Sequence, residues 1–237
     1  MGYSGAQIGA FVLIIALSIV GWLVQMRLKS VFEKYSNIPS VGGLTGAQAA
    51  EKMLNDMGIS DVKVVATSGA LTDHYNPTTK TIALSEPVYG SRSVAAVAVA
   101  CHECGHAVQH AKAYKPLVLR SVMVPSVSFS SRYAQWLVFG GLVLASSGFG
   151  MMLCWIGVGM MGMAALFSIV TLPVEYNASN RALEWMRMAG VVYGEQEKQA
   201  RIALNWAART YLVAALSAVA SLLYYVMLIM GGGRRRD

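Results

Sequence analysis

The chain has 237 residues, 55% of them apolar and only 13% charged, with a formal net charge of +7. Soluble domains run nearer 25% charged, so the composition excludes an ordinary soluble enzyme and places much of the chain in a bilayer. The basic residues lie near segment ends and in the tail "GRRRD" without an aromatic-interleaved patch, which argues against nucleic acid and for anionic lipid head groups.

The first long apolar run, Ile8 to Met26, holds no charge and has the length one helix needs to cross hydrocarbon. A signal peptide would carry basic residues before its apolar core and a small-residue cleavage site after it. Here nothing basic precedes the run, and Arg27, Lys29 and Lys34 follow it. Residues 1–27 therefore read as an uncleaved membrane anchor.

Residues 28–116 have a soluble composition. "LTGAQAAEKMLNDMG" reads as a helix with Thr45 as N-cap, Gln48 three residues on and Gly58 as terminator. "VKVVAT" reads as a strand. "LTDHYNPTTKTIALS" places a turn signal, "NPTTK", between two short extended segments, so a β-hairpin is expected. Ser91 or Ser93 caps the next helix, which should run to about Ala113, before Pro116.

Residues 117–174 are mostly apolar, with Arg120 and Arg132 the only charges before Leu172. They can cross the bilayer twice, turning near Ser146–Gly150; Pro125 and the serines after it soften the first crossing. Residues 175–209 are polar and helix-like, and 210–237 hold a last span, Tyr211 to Met230, with a basic tail. The expected fold is a mainly α membrane protein with about four transmembrane helices and a small α+β catalytic portion. Arg27, Lys29 and Lys34 argue that the segment after the first span is cytoplasmic. Four spans put 175–209 on the same side, in agreement with Arg181, Arg187, Lys198, Arg201 and Arg209. The tail residues Arg234, Arg235 and Arg236 then fall outside, against the rule, unless one middle segment is re-entrant.

"AVACHECGHAVQH", Ala98 to His110, holds three of the four histidines. His102, Glu103 and His106 form H-E-x-x-H. On a helix, four residues bring His106 back to within about 40° of His102, so both imidazoles can reach one zinc ion. Glu103 lies about 100° round, which suits a general base acting on water rather than a ligand. Burying two histidines and a glutamate in such apolar flanks without partners would cost several kcal/mol, and a metal removes that cost. Gly105 is explained by close approach of substrate or another backbone, or by tight helix packing.

A catalytic zinc needs a third protein ligand and an open position. His110 is too far: eight residues of helix rise about 12 Å. Glu175, in "LPVEYNASNRALE", emerges straight after an apolar span and is the better choice over Glu184, Glu195 and Glu197. Ser179, one turn on, can hydrogen-bond a ligand or its own backbone. Cys101 and Cys104 form C-x-x-C, but helical geometry turns them away from His106, so they are expected in the core. Cys154 is the third cysteine, and three are too few for a disulfide framework. His74, or Tyr75, can donate to a developing oxyanion if the hairpin edge lies beside the histidine helix; a plain turn also explains "TDHYNP".

"LTDHYNP", "LSEPVY", "AVAVACHECGHAVQH" and "LPVEYNASNRALEW", in this order and between such spans, resemble the YugP-like membrane zinc metallopeptidases. This bacterial family is more distantly similar to the HtpX and CAAX prenyl protease gluzincins. In those relatives the third ligand is a glutamate in an E-x-x-A-D motif. Here "EYNAS" matches at Glu175 and Ala178 and carries Ser179 in place of aspartate. The resemblance implies a zincin-like peptidase embedded in the membrane.

The expectation is thus a zinc metalloendopeptidase of the bacterial plasma membrane. His102, His106 and Glu175 would hold Zn2+, Glu103 would serve as base and His74 as oxyanion donor. Expected partners are a peptide or membrane-protein substrate and the lipid bilayer, with a homo-oligomer or a regulatory membrane partner left open. The alternatives are a non-enzymatic membrane scaffold with a structural zinc and, ranked last, a metal transporter, since the spans contain almost no ligands.

Overall fold

A computed structural model describes residues 5–233. The tail residues Arg234 to Arg236, on which the topology conflict rests, lie outside them. The elements in chain order are α1 (Gly5–Ser36), α2 (Gly46–Asp56), β1 (Lys63–Thr67), β2 (His74–Asn76), β3 (Thr81–Ser85), α3 (Glu86–Tyr89), α4 (Val94–Ala111), α5 (Lys115–Val143), α6 (Gly148–Met188) and α7 (Glu195–Gly233). The chain divides into two units. One holds the chain up to Leu23, Leu119–Leu172 and the chain from Thr210 on; the other holds Val24–Val118 and Pro173–Arg209.

In the first unit, three of the contributing helices, α1, α6 and α7, are long and apolar enough to cross a membrane. The sequence suggested four. The remaining one, α5, is as continuous but less apolar: Arg120, Arg132, Pro125 and its serines lower its hydropathy. Helix α5 packs on α6 backbone to backbone. A Cβ on Gly141 would lie 2.6 Å from the Gly150 carbonyl oxygen, and one on Gly157 would lie 2.8 Å from that of Ala134. Small residues at such crossings let helices approach closely where lipid gives no hydrophobic drive. Val138, Cys154, Val158 and Ile229 form the core of this unit. The turn between α5 and α6 falls at 144–147, close to the expected Ser146–Gly150.

The second unit is built on α4. Helix α2 starts as its sequence demands: Thr45 accepts from the Gln48 backbone N–H, and the Gln48 side chain accepts from the Thr45 N–H. It ends at Gly58, which takes the left-handed conformation at φ +71°. The three strands form one sheet in the order β1-β3-β2. Strands β2 and β3 are the expected hairpin, pairing antiparallel with Tyr75 opposite Ile82. Strand β1 pairs parallel with β3, Val65 opposite Ala83. Asp73 clasps the hairpin by accepting from the Ser85 backbone N–H and hydroxyl.

The core of this unit collects Met53 and Leu54 from α2, Ile82 and Leu84 from β3, Val97, Cys101, Cys104 and Val108 from α4, and Met186 from α6. Trp185 ties α6 to α2 by donating to the Asp56 carboxylate at 3.0 Å. Helix α4 ends before Pro116 as expected, and Pro116 sits in the first turn of α5, where its missing N–H costs nothing. Pro173 lies within α6, which continues through it to Met188.

Candidate metal centre

Helix α4 begins at Ser93, whose hydroxyl accepts from the Ala96 N–H, and ends at Ala111. Of its polar residues, Glu103, His106 and Gln109 are buried, His102 is partly exposed and His110 is exposed. The four-residue spacing brings the His102 and His106 rings together, with centroids 4.8 Å apart and planes 86° to one another.

Glu175 comes from α6. It reaches the histidines because α6 crosses α4 where neither backbone carries a large side chain. A Cβ on Gly105 would lie 2.5 Å from the Ala178 carbonyl oxygen. Of the two explanations for this glycine, close approach of another backbone is the one observed. Glu175 Oε2 then lies 3.3 Å from His102 Nε2 and 3.6 Å from His106 Nε2, with Glu175 only 2% exposed. One donor atom from each of the three residues falls within 4.8 Å of the others, and among the described residues no other His, Cys, Asp or Glu group of three or more does so.

The outer nitrogens of both rings are held as well. His102 Nδ1 meets the Ser179 hydroxyl at 3.0 Å. His106 Nδ1 meets Gln109 Oε1 at 3.0 Å. Burial opposes a charge on His106. The hydrogen bond to Glu175, the charges of Glu103 and Glu175 and the hydrogen bond to Gln109 outweigh that and raise its pKa above the ordinary histidine value. Glu103 is 8% exposed, and among the described residues its carboxylate takes no hydrogen bond. It is buried beside the cluster, and its charge acts on His106.

The remaining sequence candidates are not members of this cluster. Tyr75 reaches from β2 to His110, its hydroxyl 2.8 Å from His110 Nδ1, so His110 braces the sheet on α4. His74 is exposed on β2, with Nδ1 at 2.8 Å from the Thr72 carbonyl oxygen. Cys101 and Cys104 are fully buried, and burial pushes both thiols well above their usual range. Glu195 pairs with Lys198 at 3.1 Å and Glu197 with Arg201 at 3.5 Å, as surface charges do; Glu184 is exposed. Sequence reasoning missed Gln109 and Asn177. Their only signal was position: Gln109 stands three residues after His106, on the same helical face.

The geometry is that of a two-histidine, one-carboxylate cluster. Residues 10–230 match the model of a family described as "Putative neutral zinc metallopeptidase". The chain belongs to this neutral zinc metallopeptidase family. It is also 42% identical over 222 residues to "Putative membrane protease YugP" of Bacillus subtilis (strain 168), covering 94% of this chain and 96% of that one. No solved structure matches the chain. Membership of a neutral zinc metallopeptidase family implies zinc and a peptidase role. The relative's name, a membrane protease, fits the three apolar helices.

The residues present suit zinc. Ligands at about 2.0–2.1 Å around a tetrahedral ion stand about 3.3–3.4 Å apart. The 3.3 and 3.6 Å separations of Glu175 Oε2 from the two Nε2 atoms are close to this spacing.

Proposed function

We propose that this chain is a multi-pass membrane zinc metalloendopeptidase of the gluzincin type. His102, His106 and Glu175 hold the zinc, and Glu103 is the general base. The observation that carries the reading is the convergence of Glu175 Oε2 on both Nε2 atoms from a separate helix. Zinc, when bound, acidifies a water and polarises the substrate carbonyl. Glu103 would take a proton from the attacking water as the water oxygen adds to the peptide carbon. It passes the proton to the departing amine nitrogen as the C–N bond breaks.

The hairpin supplies the substrate side. Strand β2 is a sheet edge and packs on α4, so an extended peptide can add along it. His74, exposed on that strand, is the proposed donor to the developing oxyanion.

The membrane reading is four crossings with the catalytic unit on the cytoplasmic side. The chain passes between the two units four times, after residues 23, 118, 172 and 209. Helix α5 carries large exposed apolar side chains, Val122, Phe129, Trp136 and Phe139, as a lipid-facing helix does. Arg27, Lys29 and Lys34 follow the apolar run of α1 and fall in the catalytic unit, as the positive-inside rule asks of a cytoplasmic segment. Substrates are then membrane or membrane-proximal proteins, cut beside the bilayer.

The test is metal analysis and peptide cleavage by the full chain in detergent. The parent should carry one zinc, and His106→Ala should lose it. Glu103→Gln should keep zinc and lose roughly 10²–10⁴-fold in cleavage rate. Undiminished cleavage by Glu103→Gln would refute the base assignment, and zinc retained in His106→Ala would refute the ligand set. One zinc without cleavage of any peptide would point to a scaffold with a structural metal instead.

A further inference from the structure

We infer that Gln109 is a positioning residue for the metal, holding His106 in the tautomer whose Nε2 lone pair faces Glu175. The inference rests on the zinc reading above and deepens it.

Gln109 is 0% exposed, an uncommon place for an amide, and every polar atom of its side chain is used. Its Nε2 lies 2.8 Å from the Val174 carbonyl oxygen and 3.0 Å from Asn177 Oδ1. A carbonyl can only accept, so the NH₂ end must face Val174. The Asn177 amide is oriented independently: Arg181 Nε, which can only donate, lies 2.7 Å from Asn177 Oδ1. With its NH₂ end facing two acceptors, Gln109 presents Oε1 to His106 Nδ1 at 3.0 Å. That oxygen can only accept, so Nδ1 carries the hydrogen. The neutral ring is left with its lone pair on Nε2, the atom 3.6 Å from Glu175 Oε2. The flipped amide would set its oxygen against the Val174 carbonyl oxygen and its NH₂ against Nδ1, losing these bonds.

The same side chain joins the two halves of the site. Gln109 belongs to α4, yet its anchor is the backbone of Val174, the residue before Glu175. One amide thus sets the ring of one ligand and holds the helix turn that carries another. Groups that orient a ligating histidine typically change metal affinity 10- to 100-fold when removed.

The experiment uses the full chain in detergent, with zinc affinity by chelator competition and the ligand-field spectrum of the cobalt-substituted protein. Gln109→Leu fills similar space but makes no hydrogen bond. It should still bind one zinc at saturation, with an affinity 10- to 100-fold weaker and a shifted cobalt spectrum. Gln109→Glu, neutral when buried here, keeps an acceptor against Nδ1 and an O–H donor for the Val174 carbonyl, and should recover part of that loss. An affinity and spectrum in Gln109→Leu equal to the parent's would overturn the inference. So would equal losses in the Leu and Glu variants, which would mean the amide only fills space. Should circular dichroism show Gln109→Leu unfolded, Gln109→Asn takes its place. Its amide is too short to span His106 and Val174, so weakened zinc is expected, and parent-like affinity refutes the role. A parent chain that binds no zinc, or an intact affinity in His106→Ala, would bring down the metal site itself, a result separate from any Gln109 outcome.

Discussion

Gly105 of α4 lies against the backbone of Ala178 of α6, so close that a Cβ on the glycine would stand 2.5 Å from the Ala178 carbonyl oxygen and 3.0 Å from its Cα. Both residues are one position from a group that matters. Gly105 precedes His106, and Ala178 precedes Ser179, the partner of His102. The contact sets how far Glu175 stands from the imidazoles.

Gly105→Ala tests this contact. In an exposed helix the change would stabilise by about 1 kcal/mol, because alanine is the better helix former. Here the added methyl meets backbone, which cannot rotate away, and overpacking of this kind costs about 1–3 kcal/mol. The expected outcome is a lower melting temperature and at least tenfold weaker zinc binding, read by thermal unfolding and chelator competition. A variant as stable as the parent with undiminished zinc affinity would show that the helices separate freely.

The raised pKa of His106 predicts how metal uptake responds to pH. Without metal, a proton on His106 is favoured by the Glu175 hydrogen bond and by the Glu103 and Glu175 charges despite burial. A group whose folded pKa is raised stabilises the fold below its unfolded value, near 6.5 for histidine, and that stabilisation fades as pH rises through the folded value. The metal-free protein should therefore melt at lower temperature as pH climbs past that point. Zinc must displace the proton, so its affinity should fall on acidification through the same range, by about tenfold per pH unit for one proton. Melting curves and zinc titrations between pH 5.5 and 8.5, roughly a unit or two either side of the unperturbed value, measure both. Opposite slopes for the two quantities are expected; parallel slopes would contradict the exchange.

Ser179 offers a third test. Its hydroxyl meets His102 Nδ1 at 3.0 Å. Removing it in Ser179→Ala should weaken zinc about tenfold, as loss of a histidine-orienting group does. Ser179→Asp should bind zinc at least as tightly as the parent, because a carboxylate is a stronger acceptor for the same N–H. Isothermal titration of zinc into the three proteins decides it; an aspartate variant weaker than the alanine one would mean that the hydroxyl donates to His102 rather than accepting.

Local chemistry was legible from the chain itself. The capping box of α2, the hairpin turn at "NPTTK" and the four-residue spacing of His102 and His106 all depend on residues within a few positions of one another. Their geometry follows from the backbone's own periodicity, so pattern alone reports it. The apolar runs were equally plain, since crossing hydrocarbon is a matter of length and composition. Span number was less so, because the serines and arginines of α5 dilute that signal.

What the chain could not state was which distant groups meet. Glu175 was singled out among the acids, but its distance to the imidazoles appears only once α6 is laid on α4, and Gln109 looked like any polar residue on a helix. Its three partners, His106, Val174 and Asn177, are assembled only when two helices cross at a glycine. Sequence spacing records directions along one helix; the distance and angle between two helices come from which side chains are small enough to let their backbones touch.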